Sequence, residues 1–467
     1  MTLTLSHPMT ASSRPAAALW DEWLQGANRD SERLAALRTW FSGYQTLMHS
    51  LERGTAPHLL PLRPPVFAET RYQEFARVTS RLVQLTETAL ALHGDPEALL
   101  RDMGLPEVVR QCFGHAQFGR DLARAFARAD LLLHDGELKV LELNIDSGIG
   151  GMVGGSLFPQ AYFNSPGGRT VRSQAALYAD SPLLEAARFI RAIATTLDLG
   201  PRPFVAILEW DYDLEIQHTY ASLLAQYGIP ASFVHVETLE ERDGFLYSQG
   251  RRIDLALKNF SMGSLDFPEQ MGAIAAAVAK GGTPVLTDSR SVLSSNKRML
   301  AVLSEHADRL NGLDRALIER HVPWSREVKD QAVSFQGETY RMQDLLAPSH
   351  RADFVLKRGS GEGGLSVVIG AHSTPSEWEE AVVEALKSRD FILQRYEAPD
   401  RIELPFFAET LDRVVWRRHP FVLGQFVIDG APGGVLVRFD TSDDEGVINY
   451  ARGAGIVTAV VEGGSSC

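Results

Sequence analysis

The segment LELNIDSGIGG, Leu141 to Gly151, joins a short strand pattern to a run of glycines. Side chains alternate along a strand, so the pattern predicts that Val140, Glu142 and Asn144 share one face, with the intervening leucines on the other. A carboxylate and a carboxamide two residues apart are oxygen ligands of the kind that Mg²⁺ prefers. An edge strand with a solvated polar face, followed by a glycine turn, explains the same letters. The segment alone leaves both interpretations open.

Composition sets the broad class of the protein. The chain has 467 residues, of which 45% are hydrophobic, and 46 basic against 59 acidic side chains give a net charge of −13. A core of two or three lobes is expected at this size, and the acidic balance argues against nucleic acid or an anionic membrane as partner. Two cysteines, Cys112 and Cys467, cannot build a disulfide framework. No secretory signal pattern and no apolar run of about 18 residues is present, so a cytoplasmic location is expected.

The spacing of apolar residues changes along the chain and predicts four regions. A period of three to four residues indicates helices, and a period of two around Asp135-Gly136 indicates a β-hairpin with a tight turn. Strand–helix–strand order then indicates a βαβ unit. The predicted regions are 1–128 (helical), 129–202 (first part of the core), 203–290 (α/β insert) and 291–467 (remaining core with glycine-rich loops).

A second glycine-rich loop, KRGSGEGG, begins at Lys357 between two strand patterns. It lacks the G-K-[ST] ending of a P-loop, and no helix pattern follows it. The backbone N–H groups of such a hairpin tip can still cover phosphates, with Lys357 as a point charge and Glu362 as a further magnesium ligand. An ordinary surface hairpin is an equally good explanation.

Two further segments are ambiguous when taken alone. Lys297, in SSNKRMLAVL, opens an amphipathic helix, where a solvated lysine is the ordinary interpretation. The strand FILQRYEAP ends at Gln394 to Tyr396, whose backbone could hydrogen-bond an adenine edge, although a plain core strand has the same pattern.

Several other activities have little support. A dinucleotide fingerprint in GIGGMVGG would need glycine where Val153 stands, and the proline of SLFPQAYF falls where the fingerprint's helix should run. EWDYDLE groups acidic residues without the spacing of a calcium loop, so a solvated face is the better interpretation. Zinc-hydrolase and serine-hydrolase motifs are absent from the sequence.

The order of the segments is more specific than any one of them. ARAD precedes the hairpin and LELNIDSGIGG ends it; SSNKRMLAVL, FVLKRGSGEGG, FILQRY, GGVLVRFD and YARGAGIVTAVVEGG follow. This order resembles the eukaryotic-type glutathione synthetases, a circularly permuted branch of the ATP-grasp ligases, over roughly residues 125–463, and more distantly the glutathionylspermidine synthetases. The resemblance implies an α/β ATP-grasp fold with N-terminal helices, an α/β substrate-domain insert and a glycine-rich lid.

The resemblance also implies a ligand set of ATP with two Mg²⁺ ions. Its metal ligands match Glu142, Asn144 and Glu362. Its ATP-binding positions match Lys297, Lys357, Gly361, Gly363, Gly364, Gln394 and Tyr396.

Substrate-facing positions follow from the same resemblance. Arg128, Lys357 and Arg438 would stabilise charge during catalysis. The substrate would contact Arg128, Asp130, Ser147, Arg438 and Arg452. The chain departs from the family mainly here: DSGIGG keeps only one serine of the substrate motif, Arg358 replaces a proline, and Lys258-Asn259 replaces an arginine.

The predicted activity is therefore an ATP-dependent carboxylate–amine ligase that acts through an acyl phosphate and releases ADP and phosphate. Amino acids or small peptides are the expected substrates, and the resemblance suggests a homodimer. One alternative is a degenerate nucleotide-binding protein that serves as a scaffold or regulator. Another is a metal-independent helical interaction protein built on residues 15–128.

Overall fold

The structure is a computed structural model whose helices and strands alternate along most of the chain. It describes residues 14–51, 59–103, 107–110, 122, 124–145, 149–209, 215–260, 268–288, 291–360, 366–408, 412–440, 446–449 and 452–464. The α-helices are α1 (Ala16–Ala27), α2 (Ser31–Leu51), α3 (Glu69–His93), α4 (Pro96–Asp102), α5 (Glu107–Arg110), α6 (Met152–Phe163), α7 (Pro166–Arg172), α8 (Pro182–Thr196), α9 (Glu215–Gln226), α10 (Pro268–Lys280), α11 (Ser291–Ser295), α12 (Arg298–Glu305), α13 (Gly312–His321), α14 (Met342–Leu345) and α15 (Pro375–Ser388).

The strands belong to three larger sheets and three small ones. They are β1 (Val66–Ala68), β2 (Phe126–His134), β3 (Glu137–Asn144), β4 (Leu177–Tyr178), β5 (Val205–Glu209), β6 (Ala231–His235), β7 (Leu239–Arg242), β8 (Phe245–Ser248), β9 (Arg251–Arg252), β10 (Leu255–Lys258), β11 (Val285–Leu286), β12 (Ser325–Glu327), β13 (Ala332–Phe335), β14 (Glu338–Arg341), β15 (Phe354–Arg358), β16 (Val367–Ile369), β17 (Phe391–Arg395), β18 (Arg401–Ala408), β19 (Arg413–Ile428), β20 (Ala431–Phe439), β21 (Gly455–Thr458) and β22 (Val460–Glu462).

The largest sheet combines the predicted first and last parts of the core. Its order is β21-β20-β19-β2-β3, with β18 paired to β19, and its pairs are antiparallel. The predicted hairpin between β2 and β3 is confirmed: Asp135 and Gly136 both have positive φ, 51° and 76°, as a type I′ turn requires. The Asp400 carboxylate accepts hydrogen bonds from both turn N–H groups, at 3.0 and 2.9 Å. The predicted region boundary after residue 128 falls inside β2.

A β-bulge interrupts the pairing of β2 with β3. Asp130 pairs with Glu142, whereas the next residue, Leu131, pairs with Val140, which leaves Leu141 as the extra residue. Such a bulge bends the strand and redirects the side chains beside it.

Because of the bulge, the prediction that Val140, Glu142 and Asn144 share one face of the strand is wrong. Val140 does not share a face with Glu142 and Asn144, because strict alternation ends at Leu141. Glu142 and Asn144 remain partly exposed. The side chains that enter the core on either side of the bulge are Leu138, Val140, Leu143 and Ile145.

The predicted strand–helix–strand unit is β5–α9–β6, which belongs to a parallel sheet in the order β11-β10-β5-β6. Residues 205–208 of β5 are fully buried, as expected for a central parallel strand that is covered on both faces. Leu224 of α9 and Ile190 of α8 belong to the hydrophobic cluster that packs against this sheet.

A separate four-stranded antiparallel sheet, β12-β17-β15-β16, carries the two predicted strands that flank the second glycine loop. Its core contains Phe354, Leu393 and Trp378 of α15. The Trp378 Nε1–H donates to Leu346 O at 2.8 Å, which satisfies the one polar atom of this buried ring.

The N-terminal region is mainly helical, as predicted, but it is not entirely so. Strand β1 pairs in parallel with β22 near the other end of the sequence, and β2 begins at Phe126. None of the helices among the described residues is long and apolar enough to cross a membrane.

The helix after the first glycine run also differs from expectation. Helix α6 begins at Met152 and contains Pro159, so the proline does not prevent a helix there. The strand before it, β3, is an antiparallel hairpin strand, so the unit is not the βαβ crossover of a dinucleotide site.

Candidate active site

A cleft lies between the large sheet and the four-stranded sheet, with about 1140 Å³ of empty space including its mouth. Its lining includes the apolar residues Leu132, Val355, Val367 and Ile369. Charged residues also line it: Asp130, Glu142, Lys357, Arg395, Glu397, Arg401 and Arg438.

Glu142 lies at the bulge of β3, and its carboxylate contacts two predicted site residues. Its Oε2 is 3.2 Å from Lys297 Nζ, and its Oε1 is 3.5 Å from the Asn144 amide nitrogen. Asn144 Nδ2 also donates to Arg128 O at 3.2 Å, which leaves Oδ1 as the group that it can offer to a cation. Two oxygen donors at one point of a cleft fit part of a Mg²⁺ shell, the rest of which phosphate oxygens and water normally complete.

Lys297 reaches Glu142 because of a break between two helices. Helix α11 ends at Ser295, Lys297 is the N-cap of α12, and its N–H donates to Gly359 O at 3.0 Å. Gly359 begins the second glycine loop and fits tightly there. A Cβ at this position would overlap Asp390 Oδ1 and lie 2.7 Å from Asn296 Oδ1.

Lys357, at the end of β15, is buried and approaches Glu142 from the other sheet. Its Nζ donates to Gln394 Oε1 at 2.6 Å and to Leu141 O at 3.4 Å. The pKa of Lys357 is lowered to about 8, mainly by burial; the Glu142 carboxylate opposes this shift and the Lys297 charge adds to it.

Arg128 and Asp130 of β2 form a charged group with Arg438 of β20, across the strand β19 that lies between them. Asp130 Oδ1 accepts from Arg128 Nε at 3.2 Å, and its Oδ2 accepts from Arg438 Nη2 at 2.7 Å. Burial alone would raise the pKa of the Asp130 carboxyl, but the guanidiniums of Arg438 and Arg128 hold it well below its usual range. Arg128 Nη1 also donates to Gly150 O at 2.7 Å, which ties the first glycine run to this group.

The charges of the site favour an anionic ligand. Four cations (Arg128, Lys297, Lys357 and Arg438) surround two carboxylates (Asp130 and Glu142), in a chain whose overall charge is strongly negative. Arg438 Nε is buried and finds no hydrogen-bond partner among the described residues. A carboxylate or phosphate that binds here could accept a hydrogen bond from this buried N–H group and offset the excess positive charge.

Gln394 and Tyr396 also line the cleft. The N–H groups of Arg395 and Tyr396 donate to Trp324 O and Asp353 O, both at 2.8 Å, so these two are already bonded within the fold. The Gln394 side chain, not its backbone, contacts Lys357. The Tyr396 ring packs edge-on against His372 with centroids 5.5 Å apart.

The other predicted positions divide into two groups. Arg452 is exposed, and its N–H donates at 3.0 Å to the carbonyl of Asn449, a residue that lines the cleft. Ser147, Gly361, Glu362, Gly363 and Gly364 lie outside the described residues. Among the residues that the structure describes, no three His, Cys, Asp or Glu side chains cluster around a common point that could hold a metal ion.

Three features of the site were not predicted from the sequence. They are the bulge at Leu141, the hydrogen bond of Arg128 to Gly150 O, and the side-chain contact between Gln394 and Lys357. Only the strand-end position of Gln394 offered any signal, since the other two depend on pairing between distant segments.

No protein-family model and no curated protein matches the sequence. Among solved structures, a glutathione synthetase-like effector from Globodera pallida in its apo form covers 92% of this chain and 96% of its own, with a TM-score of 0.57 and 14% identity. The chain has a glutathione synthetase-like ATP-grasp fold. The predicted fold class is confirmed.

Two other solved structures align less closely. A candidate gamma-glutamylcysteine synthetase from Methylobacillus flagellatus covers 86% of this chain and 89% of its own, with a TM-score of 0.43 and 10% identity. A RimK-domain ATP-grasp protein from Sphaerobacter thermophilus covers 55% of this chain and 90% of its own, with a TM-score of 0.24 and 16% identity. The fold assignment depends on the Globodera pallida structure alone.

Proposed function

We propose that the chain is an ATP-dependent carboxylate–amine ligase and that the cleft beside Glu142 is its active site. One observation carries the proposal: Lys297, from a helix start, contacts Glu142 at the bulge, and Lys357, from the four-stranded sheet, lines the same cleft beside it. Two ammonium groups around a carboxylate with a neighbouring carboxamide suit a metal-bound polyphosphate better than they suit a packed core.

The cleft suits a nucleotide along its whole length. Its apolar side chains, which include Val355 and Ile369, can pack against a base, while Lys357, which lines the cleft, and Lys297, which contacts Glu142 there, can bind the phosphates. When bound, Mg²⁺ held by Glu142 and Asn144 would neutralise charge on the β- and γ-phosphates. The third predicted ligand, Glu362, lies outside the described residues, so its role stays a prediction.

The part of the site around Arg438 suits a carboxylate substrate. Arg438 has an unmet buried donor, and Asp130 holds both Arg438 and Arg128 in place. A bidentate guanidinium contact is the strong way to bind a carboxylate.

The proposed reaction has two displacements. A substrate carboxylate oxygen attacks the γ-phosphorus and displaces ADP, which gives an acyl phosphate. An amine nitrogen then attacks the acyl carbon, phosphate leaves, and the amine loses its proton as the amide forms. Lys357 and Arg438 would stabilise the charge that develops on the transferred group. Amino acids or small peptides are the substrates that the fold resemblance suggests.

A second candidate is a nucleotide-binding protein without turnover. The structural match described as an effector and the reduced DSGIGG motif favour it. It predicts binding of Mg-ATP with no release of phosphate.

A phosphate-release screen separates these two candidates. Wild-type protein is supplied with Mg-ATP and paired pools of carboxylates and amines, and mass spectrometry identifies any amide. We expect phosphate release that depends on both pools and is lost in Glu142→Gln but kept in Glu137→Gln, an exposed change on the same strand. Binding of Mg-ATP without release under any pair favours the second candidate, and absence of binding contradicts both.

A further inference from the structure

Lys357 is held by a chain of hydrogen bonds that runs through buried neutral side chains. Lys357 Nζ donates to Gln394 Oε1 at 2.6 Å, Gln394 Nε2 donates to Ser325 Oγ at 3.0 Å, and Ser325 Oγ donates to Pro323 O at 2.8 Å. Gln394 and Ser325 are 1% and 0% exposed, so water does not compete for these groups.

This chain fixes the orientation of the Gln394 amide. A serine hydroxyl has a single hydrogen, and Ser325 gives it to a carbonyl that can only accept. Ser325 Oγ must therefore accept from the Gln394 NH₂ group, which turns Oε1 towards Lys357. The opposite orientation would set NH₂ against an ammonium and leave Ser325 Oγ without its donor, and buried unmet groups of this kind are costly.

The chemistry of the acceptor distinguishes the two lysines of the site. Lys297 contacts the Glu142 carboxylate at 3.2 Å, so its charge is largely compensated before a ligand binds. The direct partner of Lys357 is an uncharged amide oxygen, and the Glu142 carboxylate acts on this ammonium only as a nearby charge, without a direct ion pair.

We propose that Gln394 is a positioning residue that aims the Lys357 ammonium into the cleft while leaving its charge available for an anionic ligand. This inference rests on the proposed function for the identity of the ligand. Its geometric basis, the Ser325–Gln394–Lys357 chain, is independent of the reaction.

A double-mutant cycle tests the proposal, because a residue that acts through Lys357 loses its effect when Lys357 is removed. Calorimetric binding of Mg-AMP-PNP is measured for the wild type, Gln394→Met, Lys357→Met and the double variant. Gln394→Met should weaken binding on the order of tenfold, as loss of a hydrogen bond to a charged group does. In the Lys357→Met background the same change should alter binding by no more than about twofold.

Two further variants keep the test clear. Gln343→Met makes the same change at an exposed position in α14 and should leave binding unchanged. Ser325→Ala removes only the hydroxyl that fixes the orientation of the Gln394 amide, so it should weaken binding less than Gln394→Met does. If Gln394→Met fails to fold, Ser325→Ala replaces it in the test.

The outcomes separate the inference from the proposed function. Equal losses from the Gln394 substitution in both backgrounds would mean a general structural role and overturn the inference. So would wild-type affinity in both Gln394→Met and Ser325→Ala while Lys357→Met binds weakly, a result that leaves the proposed function intact. A wild type that does not bind Mg-AMP-PNP at all overturns both.

Discussion

Lys297 Nζ lies 3.2 Å from Glu142 Oε2, although the two residues belong to distant segments and different elements. A divalent cation that binds the Glu142 carboxylate would compete with this ammonium for it.

Glu142→Gln should change how ATP binding depends on magnesium. Without Mg²⁺ the variant should bind ATP more tightly than the wild type, since one carboxylate that repels the phosphates is gone and Lys297 is released. With Mg²⁺ the advantage should vanish, because a carboxamide is a poorer ligand for a hard cation. Calorimetry with and without EDTA measures both effects, and Glu137→Gln is the control. An identical magnesium dependence in the variant and the wild type would remove Glu142 from the metal site.

Lys357 should make both stability and binding depend on pH. Its pKa falls from 10.5 to about 8 in the folded state, so between these values the unfolded chain holds more protons and stability rises with pH. The cost of charging it below pH 8 is about 3 kcal/mol by the same relation. Lys357→Met should lack this rise, so the wild type should gain stability relative to the variant between pH 8 and pH 10.

The same titration should weaken ATP binding above pH 8 in the wild type, because the ammonium loses its proton. Lys357→Arg should abolish that fall, since a guanidinium stays charged. Chemical unfolding measures the stability and calorimetry the binding, each across pH 7 to 10. If the stability of the wild type and of Lys357→Met changed with pH in the same way, the lowered pKa of Lys357 in the folded protein would be contradicted.

Asp130→Asn should destabilise the fold far more than an ordinary surface change. It leaves the buried Arg438 without its carboxylate, and breaking one partner of a buried pair costs about 3–5 kcal/mol. The depressed pKa of Asp130 means that its contribution is present above pH 3.8 and is lost as the pH falls below that value. Glu319→Gln, in an exposed pair with Arg315, is the control and should cost less than about 1 kcal/mol. An equal loss of unfolding free energy in Asp130→Asn and Glu319→Gln would argue against a stabilising role for the charged group of Arg128, Asp130 and Arg438.

Gly359→Ala should disturb the junction between Lys297 and the second glycine loop. Its Cβ would overlap Asp390 and crowd Asn296, and overpacking of this kind costs about 1–3 kcal/mol. Nucleotide binding should weaken as well, since the Lys297 N–H bonds Gly359 O. Gly43→Ala, at a helical position with open space, should be neutral or stabilising. If a folded Gly359→Ala protein bound nucleotide as the wild type does, the contact between Lys297 and Gly359 would not contribute to nucleotide binding.

Local patterns predicted the elements of the fold well. The Asp135-Gly136 turn, the βαβ insert and the strands around Lys357 follow from short-range rules of turn chemistry and periodicity. The order of motifs then predicted the fold class. The pairing of β1 with β22 could not be predicted, because it depends on contacts between segments at opposite ends of the sequence.

The site was only partly predictable for the same reason. Glu142, Lys297 and Lys357 were named from the sequence, and the structure brings them together. The bulge at Leu141 was missed, since alternation assumes regular pairing and the extra residue appears only when β2 is aligned with β3. The Gln394 contact with Lys357 depends on how two neighbouring strands face each other, which no single strand pattern encodes.

The central claim is that the cleft beside Glu142 binds magnesium-ATP. A crystal structure of the wild-type protein with Mg²⁺ and AMP-PNP tests it most directly. We predict the base against the apolar side chains of Val355 and Ile369, the phosphates within hydrogen-bonding distance of Lys297 and Lys357, and Mg²⁺ on the Glu142 carboxylate. Nucleotide bound elsewhere, or a Glu142 that stays paired with Lys297 and carries no metal, would contradict the account.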